Sequence, residues 1–240
     1  MKILISHILF SQTKSFYFLF IIISLSLFLV EFCLNNYLVQ GYPNNGLKTI
    51  KVKMTQDQYN YKHLLGLVEN TANKTVNHVI ITARFLESGN KSIGNFSKQT
   101  EITTLNPKEI TPFDILIFDK NIYNRIKEYV VNINFNFTND KDRNLLIVSN
   151  KSHLDVNGFF FIDGKIRNLG HAYSNNTTVT SVTYNKNNEL LGVWKAQTEP
   201  YSIPPSLEAS FSIPITDKIQ SFQISNYTLF AESDKFTKTN

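Results

Sequence analysis

The chain has one cysteine, Cys33, and one tryptophan among its 240 residues. Beyond Cys33 no disulfide framework, Cys-ligated zinc site or thiol nucleophile can be built. Without clustered methionine or cysteine, the scattered histidines do not make a blue-copper site. Also missing are a Gly-rich phosphate loop, a His-x-x-x-His pair and a Gly-x-Ser-x-Gly elbow. These absences argue against an enzyme, and no cofactor is expected. Glycine and proline are sparse, at 9 and 7, while 13% of residues are aromatic. Such a composition folds.

The chain begins with an uncharged run, Ser15–Val30 (SFYFLFIIISLSLFLV), with Lys2 and Lys14 before it and Glu31 after it. That reads as a signal peptide or an uncleaved signal anchor with its N-terminus inside. Small residues suited to cleavage are missing from Glu31-Phe32-Cys33-Leu34-Asn35, and extending the run to Leu34 gives enough length to span a bilayer. This favours an anchor: residues 1–14 cytoplasmic, 15–34 a transmembrane helix, 35–47 a stalk, and the rest extracellular on a single-pass protein of the cell membrane. A lipoprotein acylated at Cys33 would have Val30-Glu31-Phe32 as a poor lipobox. Export without disulfides fits a prokaryotic surface protein. Asn-x-Ser/Thr sequons at Asn73, Asn90, Asn95, Asn136, Asn150, Asn175, Asn176 and Asn226 are glycosylation candidates.

Beyond the anchor the sequence repeats itself. KQTEITTLNPKEITPFDILIFDK at 98–120 matches AQTEPYSIPPSLEASFSIPITDK at 196–218. With an offset of 98, Gly66-x-x-x-Asn70 falls on Gly164-x-x-x-Asn168, Phe113 on Phe211, Asp119-Lys120 on Asp217-Lys218, and Tyr129 on Tyr227. A compensated one-residue indel between Asn70 and Gly94 would pair Phe85 with Tyr184. The period suits a small domain rather than a solenoid unit. Two domains are expected, at 48–143 and 144–240, with the polar run 138–144 between them.

Within each copy the apolar period is two. HLLGLV (63–68), HVIITARF (78–85), FDILIF (113–118) and YVVNINFNF (129–137) have counterparts in FFIDGKI (160–166), TVTSVTY (178–184), FSIPI (211–215) and YTLFA (227–231). About seven short strands per copy, with turns every 8 to 12 residues, predict antiparallel β-sandwiches with Phe113 and Phe211 in their cores. Pro214 inside a strand predicts an edge.

These features together, an apolar strand with Gly-x-x-x-Asn, a strand ending in an aromatic (Phe85, Tyr184), and Pro ahead of Phe-x-Ile-x-Ile, resemble the Ig-like FxLYD repeats of prokaryotic, notably archaeal, surface proteins. Leu86 and Asn185 stand where that motif has Asp. The resemblance implies all-β, tandem Ig-like sandwiches outside the cell, with no catalytic residues to carry over.

The remaining candidates for chemistry are few. Glu101 and Glu199, from the repeated Gln-Thr-Glu, would have to converge across two domains to act as a carboxylate pair; an alternating strand with one polar face explains them better. For metals, His153-x-Asp155, the Asp155-x-Asn157-Gly158 stretch with Asp163, and Asp140-x-Asp142 are weak candidates that read as solvated turns. The basic excess lies in the first copy, where Lys and Arg outnumber Asp and Glu 14 to 10, against 8 to 8 in the second. A solvated strand face accounts for that excess; the functional reading is attraction to anionic headgroups or glycans, while nucleic acid would want a denser basic stripe. The expected function is non-catalytic: a membrane-anchored surface protein whose two sandwiches serve envelope structure or recognise a protein or glycan. A secreted ligand- or metal-binding protein, released by signal cleavage, is the other reading.

Overall fold

A computed structural model describes residues 46–142 and 144–237, the side chains of the last three excepted. The expected cytoplasmic segment, transmembrane helix, Cys33 and almost all of the stalk lie outside the described residues. Among the described residues, no helix is long and apolar enough to cross a membrane.

The described chain is all-β. In the first copy β1 (Leu47–Gln56), β2 (Lys62–Asn70) and β6 (Ile110–Ile117) form one antiparallel sheet in the order β1-β2-β6. The facing sheet has β3 (Val76–Glu87) between β4 (Lys91–Gln99) and β7 (Glu128–Phe137), with the short β5 (Thr104–Leu105) against the start of β3. The second copy repeats this plan. β8 (Leu145–Leu154), β9 (Phe160–Asn168) and β13 (Glu208–Ile215) make one sheet, and β11 (Thr178–Tyr184) lies between β12 (Leu190–Gln197) and β14 (Asn226–Glu232) in the other. β10 (Tyr173–Asn175) pairs with β15 (Lys235–Thr237). One-turn helices α1 (Lys120–Tyr123) and α2 (Lys218–Ser221) are capped by Asp119 and Asp217, whose carboxylates accept backbone N–H groups, as N-caps do. β13 is an edge strand, so Pro214 deprives no neighbour of a ladder bond.

Backbone conformation shows the duplication more directly than side chains do. Left-handed residues fall at Asn60 and Gly158, His78 and Asn176, Asn90 and Asn188, and Lys108 and Ser206, each pair 98 residues apart. The second and third pairs flank the expected indel, and the pairing agrees: Phe85 lies opposite Gly94 and Tyr129, Thr183 opposite Gly192 and Tyr227. The indel is therefore corrected. Phe85 corresponds to Thr183 and Leu86 to Tyr184; aromatic character had shifted by one residue because Phe85 fills its own core while Tyr184 points the other way. Side-chain bonds repeat as well. Asn70 Nδ2 donates to the carbonyls of Lys74 and Leu105, and Asn168 Nδ2 to those of Ala172 and Ile203.

Each copy buries its own core. Leu64, Val68, Ile81, Phe85, Phe113, Ile115 and Tyr129 belong to the first, and Ile162, Ile166, Val179, Phe211 and Ile213 to the second. A third cluster joins them: Leu65 and Leu67 of β2 with Val182 and Tyr184 of β11 and Leu190 of β12. Because neighbouring strand residues point to opposite faces, Leu64 and Val68 serve the first core while Leu65 and Leu67 face the second copy. The β1-β2-β6 sheet thus packs its outer face on the outer face of β12-β11-β14. That explains why β2 and β11 are buried almost without interruption, while β3 and β9 alternate. It also explains the sequence difference at these sites. Leu65 and Leu67 correspond to Asp163 and Lys165, which face solvent.

Polar contacts frame the apolar seam. Lys53 pairs with Glu189 at 3.0 Å, and Lys51 lies over the Tyr184 ring. Elsewhere along it, Glu232 accepts from Thr103 N–H at 2.8 Å and from Lys141 Nζ at 2.8 Å.

Candidate functional site

A cleft of about 180 Å³ opens where the β1–β2 turn of the first copy meets β12 and α2 of the second. Its turn is built by Asp57, whose carboxylate accepts the N–H groups of Tyr59 and Tyr61 at 2.9 and 2.8 Å. The turn then crosses to the other copy: Gln58 N–H donates to Asp217 at 2.9 Å, and Gln58 Oε1 accepts from Lys218 N–H at 3.1 Å.

His63, on β2, stands in the cleft between Asp114 of β6 and Asp57 of the turn. Its Nδ1 is 2.8 Å from Asp114 Oδ1, and its Nε2 is 3.6 Å from Asp57 Oδ2. Burial alone would lower the imidazole pKa, but the hydrogen bond and charge of Asp114, helped by Asp57, outweigh it and raise the value above 6.5. A proton held more tightly in the folded chain stabilises it fully below the unfolded pKa of about 6.5, and that contribution is lost as pH rises through the folded value. The melting temperature should therefore fall as pH climbs above about 6.5. In His63→Gln that slope should flatten, which a series of thermal melts across pH would check.

Opposite His63 the cleft is lined by Trp194 and Gln220. The indole lies over Gly192, where a Cβ would come within 2.4 Å of Trp194 Nε1 and 2.7 Å of Gln220 Oε1, so only glycine fits. Both of those atoms lack a hydrogen-bond partner, and Gln220 is only 7% exposed. In the first copy the same places hold Phe96 and Ile122 beside Gly94. The cleft therefore offers the indole N–H of Trp194, the Nε2 of His63 and the carbonyl of Gln220, while each of its three carboxylates has a hydrogen-bond partner in the protein. That chemistry suits a water or a hydroxyl group.

The residues singled out in the sequence lie elsewhere. Glu101 pairs with Lys98 at 3.0 Å and with Lys195 of β12 at 3.4 Å. Glu199 borders β13, in the other sheet of the second sandwich, exchanging backbone hydrogen bonds with Ser210. The shared Gln-Thr-Glu is built around its threonine: Thr100 and Thr198 are buried, and their hydroxyls donate to the carbonyls of Ile102 and Pro200. His153 stacks on Phe161 and lies 3.4 Å from Asp163. Asp155 accepts the N–H groups of Phe159 and Asn157, which hold its carboxyl below the usual range. Its duplicate Asp57 makes the same turn, so Asp155 is placed by the turn and not around an ion. Asp140 accepts from Thr75 Oγ1, and Asp142 is exposed. Among the described residues no group of three or more His, Cys, Asp or Glu is arranged to hold a metal. Seven of the sequon asparagines are exposed and Asn175 is half-buried. Sequence reasoning missed the cleft because His63, Trp194 and Gln220 come from distant segments; the only signal was polarity at 194 and 220 where the first copy has Phe96 and Ile122.

No family model matches the chain, and neither does any curated protein. Among solved structures, red sea bream transglutaminase is similar at 10% identity with a TM-score of 0.27, over 81% of this chain and 30% of that one. The exo-chitosanase CsxA of Amycolatopsis orientalis is similar at 8% identity with a TM-score of 0.26, over 79% of this chain and 26% of that one. The chain thus spans under a third of the length of either, and likenesses this faint carry nothing about its function.

Proposed function

We propose that the chain is a non-catalytic, membrane-anchored surface protein that holds out two Ig-like sandwiches as one unit, for envelope structure or for recognition of a protein or glycan. The observation that carries this reading is the exchange of Leu65 and Leu67 for Asp163 and Lys165 at duplicated positions, which makes one face of the first copy an internal joint and leaves the matching face of the second copy free. On and beside that free face Lys151, Asp163, Lys165, Gln197 and Glu199 border a shallow depression of about 770 Å³ floored by Gly164. Carboxylate, ammonium and amide groups around an open floor suit a hydroxyl-rich or polar ligand. The Ig-like reading draws on β1, β2 and β6 forming one sheet and β3, β4 and β7 the other, with β8, β9 and β13 and then β11, β12 and β14 doing the same in the second copy. With Phe85 and Tyr184 at different positions, the resemblance to FxLYD repeats rests on Gly-x-x-x-Asn and on the Pro-led Phe-x-Ile-x-Ile strand. The anchor is argued from the sequence of residues 15–34.

Protease added to intact cells should degrade the two sandwiches, and N-terminal sequencing of the native protein should find its start at Met1 or Lys2. Protection until lysis would overturn the topology. A start beyond residue 34 would favour the secreted binding protein.

A further inference from the structure

The duplication supplies an internal control for the loops at one end of the molecule. Helix α2 lies between the two β-turns that open the copies: Gln58 of the first turn bonds to Asp217 and Lys218, and the Phe222 ring covers Gly158 of the second turn. Both turns therefore share one end. In the second copy Leu154, Val156, Ile219 and Phe222 are 46, 100, 57 and 70% exposed there. Their counterparts in the first copy are Gln56, Gln58, Asn121 and Asn124. Tyr59 and Phe118, exposed at the same end of the first copy, correspond to Asn157 and Thr216. At none of these six positions is the residue apolar in both copies, so the fold requires a hydrophobic side chain at none of them.

We propose that this end of the molecule is a lipid-contacting surface, with Val156, Ile219 and Phe222 entering the headgroup boundary of a bilayer. A specific protein interface takes about 20 to 30 residues a side, and self-association needs comparable area. The tip offers six apolar side chains on its turns, its strand ends and α2, with Val156 surrounded by solvent. A bilayer needs no complementary shape, because affinity grows with each apolar group transferred. Asp57, Asp119, Asp155 and Asp217 at this end each accept a backbone N–H group. Lys218 lies over Phe159 and Lys120 over Tyr61, both lysines exposed at this same end, where they can reach anionic headgroups.

The test uses the full chain with Cys33→Ser and Asn157→Cys, carrying an environment-sensitive dye at 157. The chain sits in nanodiscs, so the apolar N-terminal run has its own bilayer, and is mixed with protein-free vesicles of phosphatidylcholine and phosphatidylglycerol. Entry of the tip into a bilayer should shift the dye's emission to the blue, and spin-labelled lipid placed in that bilayer, in the discs or in the vesicles, should quench it. A dye at Ser97→Cys, within β4 and away from the tip, should stay in water. The triple variant Val156→Gln, Ile219→Asn, Phe222→Asn carries the residues of the first copy and should lose at least an order of magnitude of lipid contact while keeping its melting temperature. Absence of quenching from both bilayers in the unsubstituted tip overturns the proposal, whether or not the variant folds. So does quenching that survives the triple substitution, or energy transfer between labelled copies in place of lipid contact. None of these readouts depends on the N-terminal run being an anchor, since a failed topology and a failed tip contact give different results.

Discussion

Phe211→Ala is expected to lower the stability of the chain by about 3 to 5 kcal/mol, read as a shift in the denaturant midpoint. The ring sits on β13 in the second core, 4% exposed, and lies across Gly164 on the neighbouring strand. A Cβ at 164 would come within 2.4 Å of the ring and 2.5 Å of the Ser149 carbonyl oxygen. The aromatic and the glycine are therefore one device, in which the missing side chain makes room for the ring to lie flat on the sheet. Gly164→Ala should be damaging for a different reason from Phe211→Ala, overpacking instead of a cavity. Removing the ring would not rescue it, because the Ser149 carbonyl belongs to the backbone of β8 and cannot rotate away. Phe113 and Gly66 make the same arrangement, with the ring at 2.3 Å from the would-be Cβ and the Lys51 carbonyl at 2.9 Å. Phe113→Ala should thus cost a similar amount. A melting curve indifferent to either phenylalanine would mean that these rings do not fill the cores.

Much of this fold was legible because its information is local. Alternation placed Phe113, Ile115 and Ile117, and their duplicates, on inner faces, and Pro214 marked an edge. The repeat offset was also readable, but the aromatic at the end of β3 misled it. Similarity of residue type pulled Phe85 onto Tyr184, although the backbone keeps a constant register and Tyr184 belongs to the seam between copies. The seam itself left a trace in HLLGLV, which breaks alternation where FFIDGKI keeps it. Periodicity can say that a second face is buried; it cannot say against what, since that is decided by β11 and β12, more than a hundred residues away. The cleft was less legible still. His63 was one scattered histidine among five, and its partners Asp57 and Asp114 come from another turn and another strand.

The seam yields the other large effect. Leu65→Asp together with Leu67→Lys gives β2 the residues that β9 carries at the same positions, so the fold of a single sandwich tolerates them by its own precedent. In β2, however, both side chains are buried against Val182, Tyr184 and Leu190. Taking a carboxylate or an ammonium out of water without good pairing costs several kcal/mol per ion, a cost the chain avoids by separating the two sheets. The outcome should be opening of the joint and not collapse of either core: far-UV strand signal retained, melting in two separable transitions where the parent is expected to show one, and new protease cleavage in the 138–144 connection. The cost of the double change is then bounded by what the joint itself contributes. Leu65→Ala alone, which leaves a cavity but no charge, should keep the joint closed at a cost of about 2 to 5 kcal/mol. If the charged variant instead unfolded in one step with no separable transition, the two cores would depend on each other, and the duplicated halves would be a single cooperative domain.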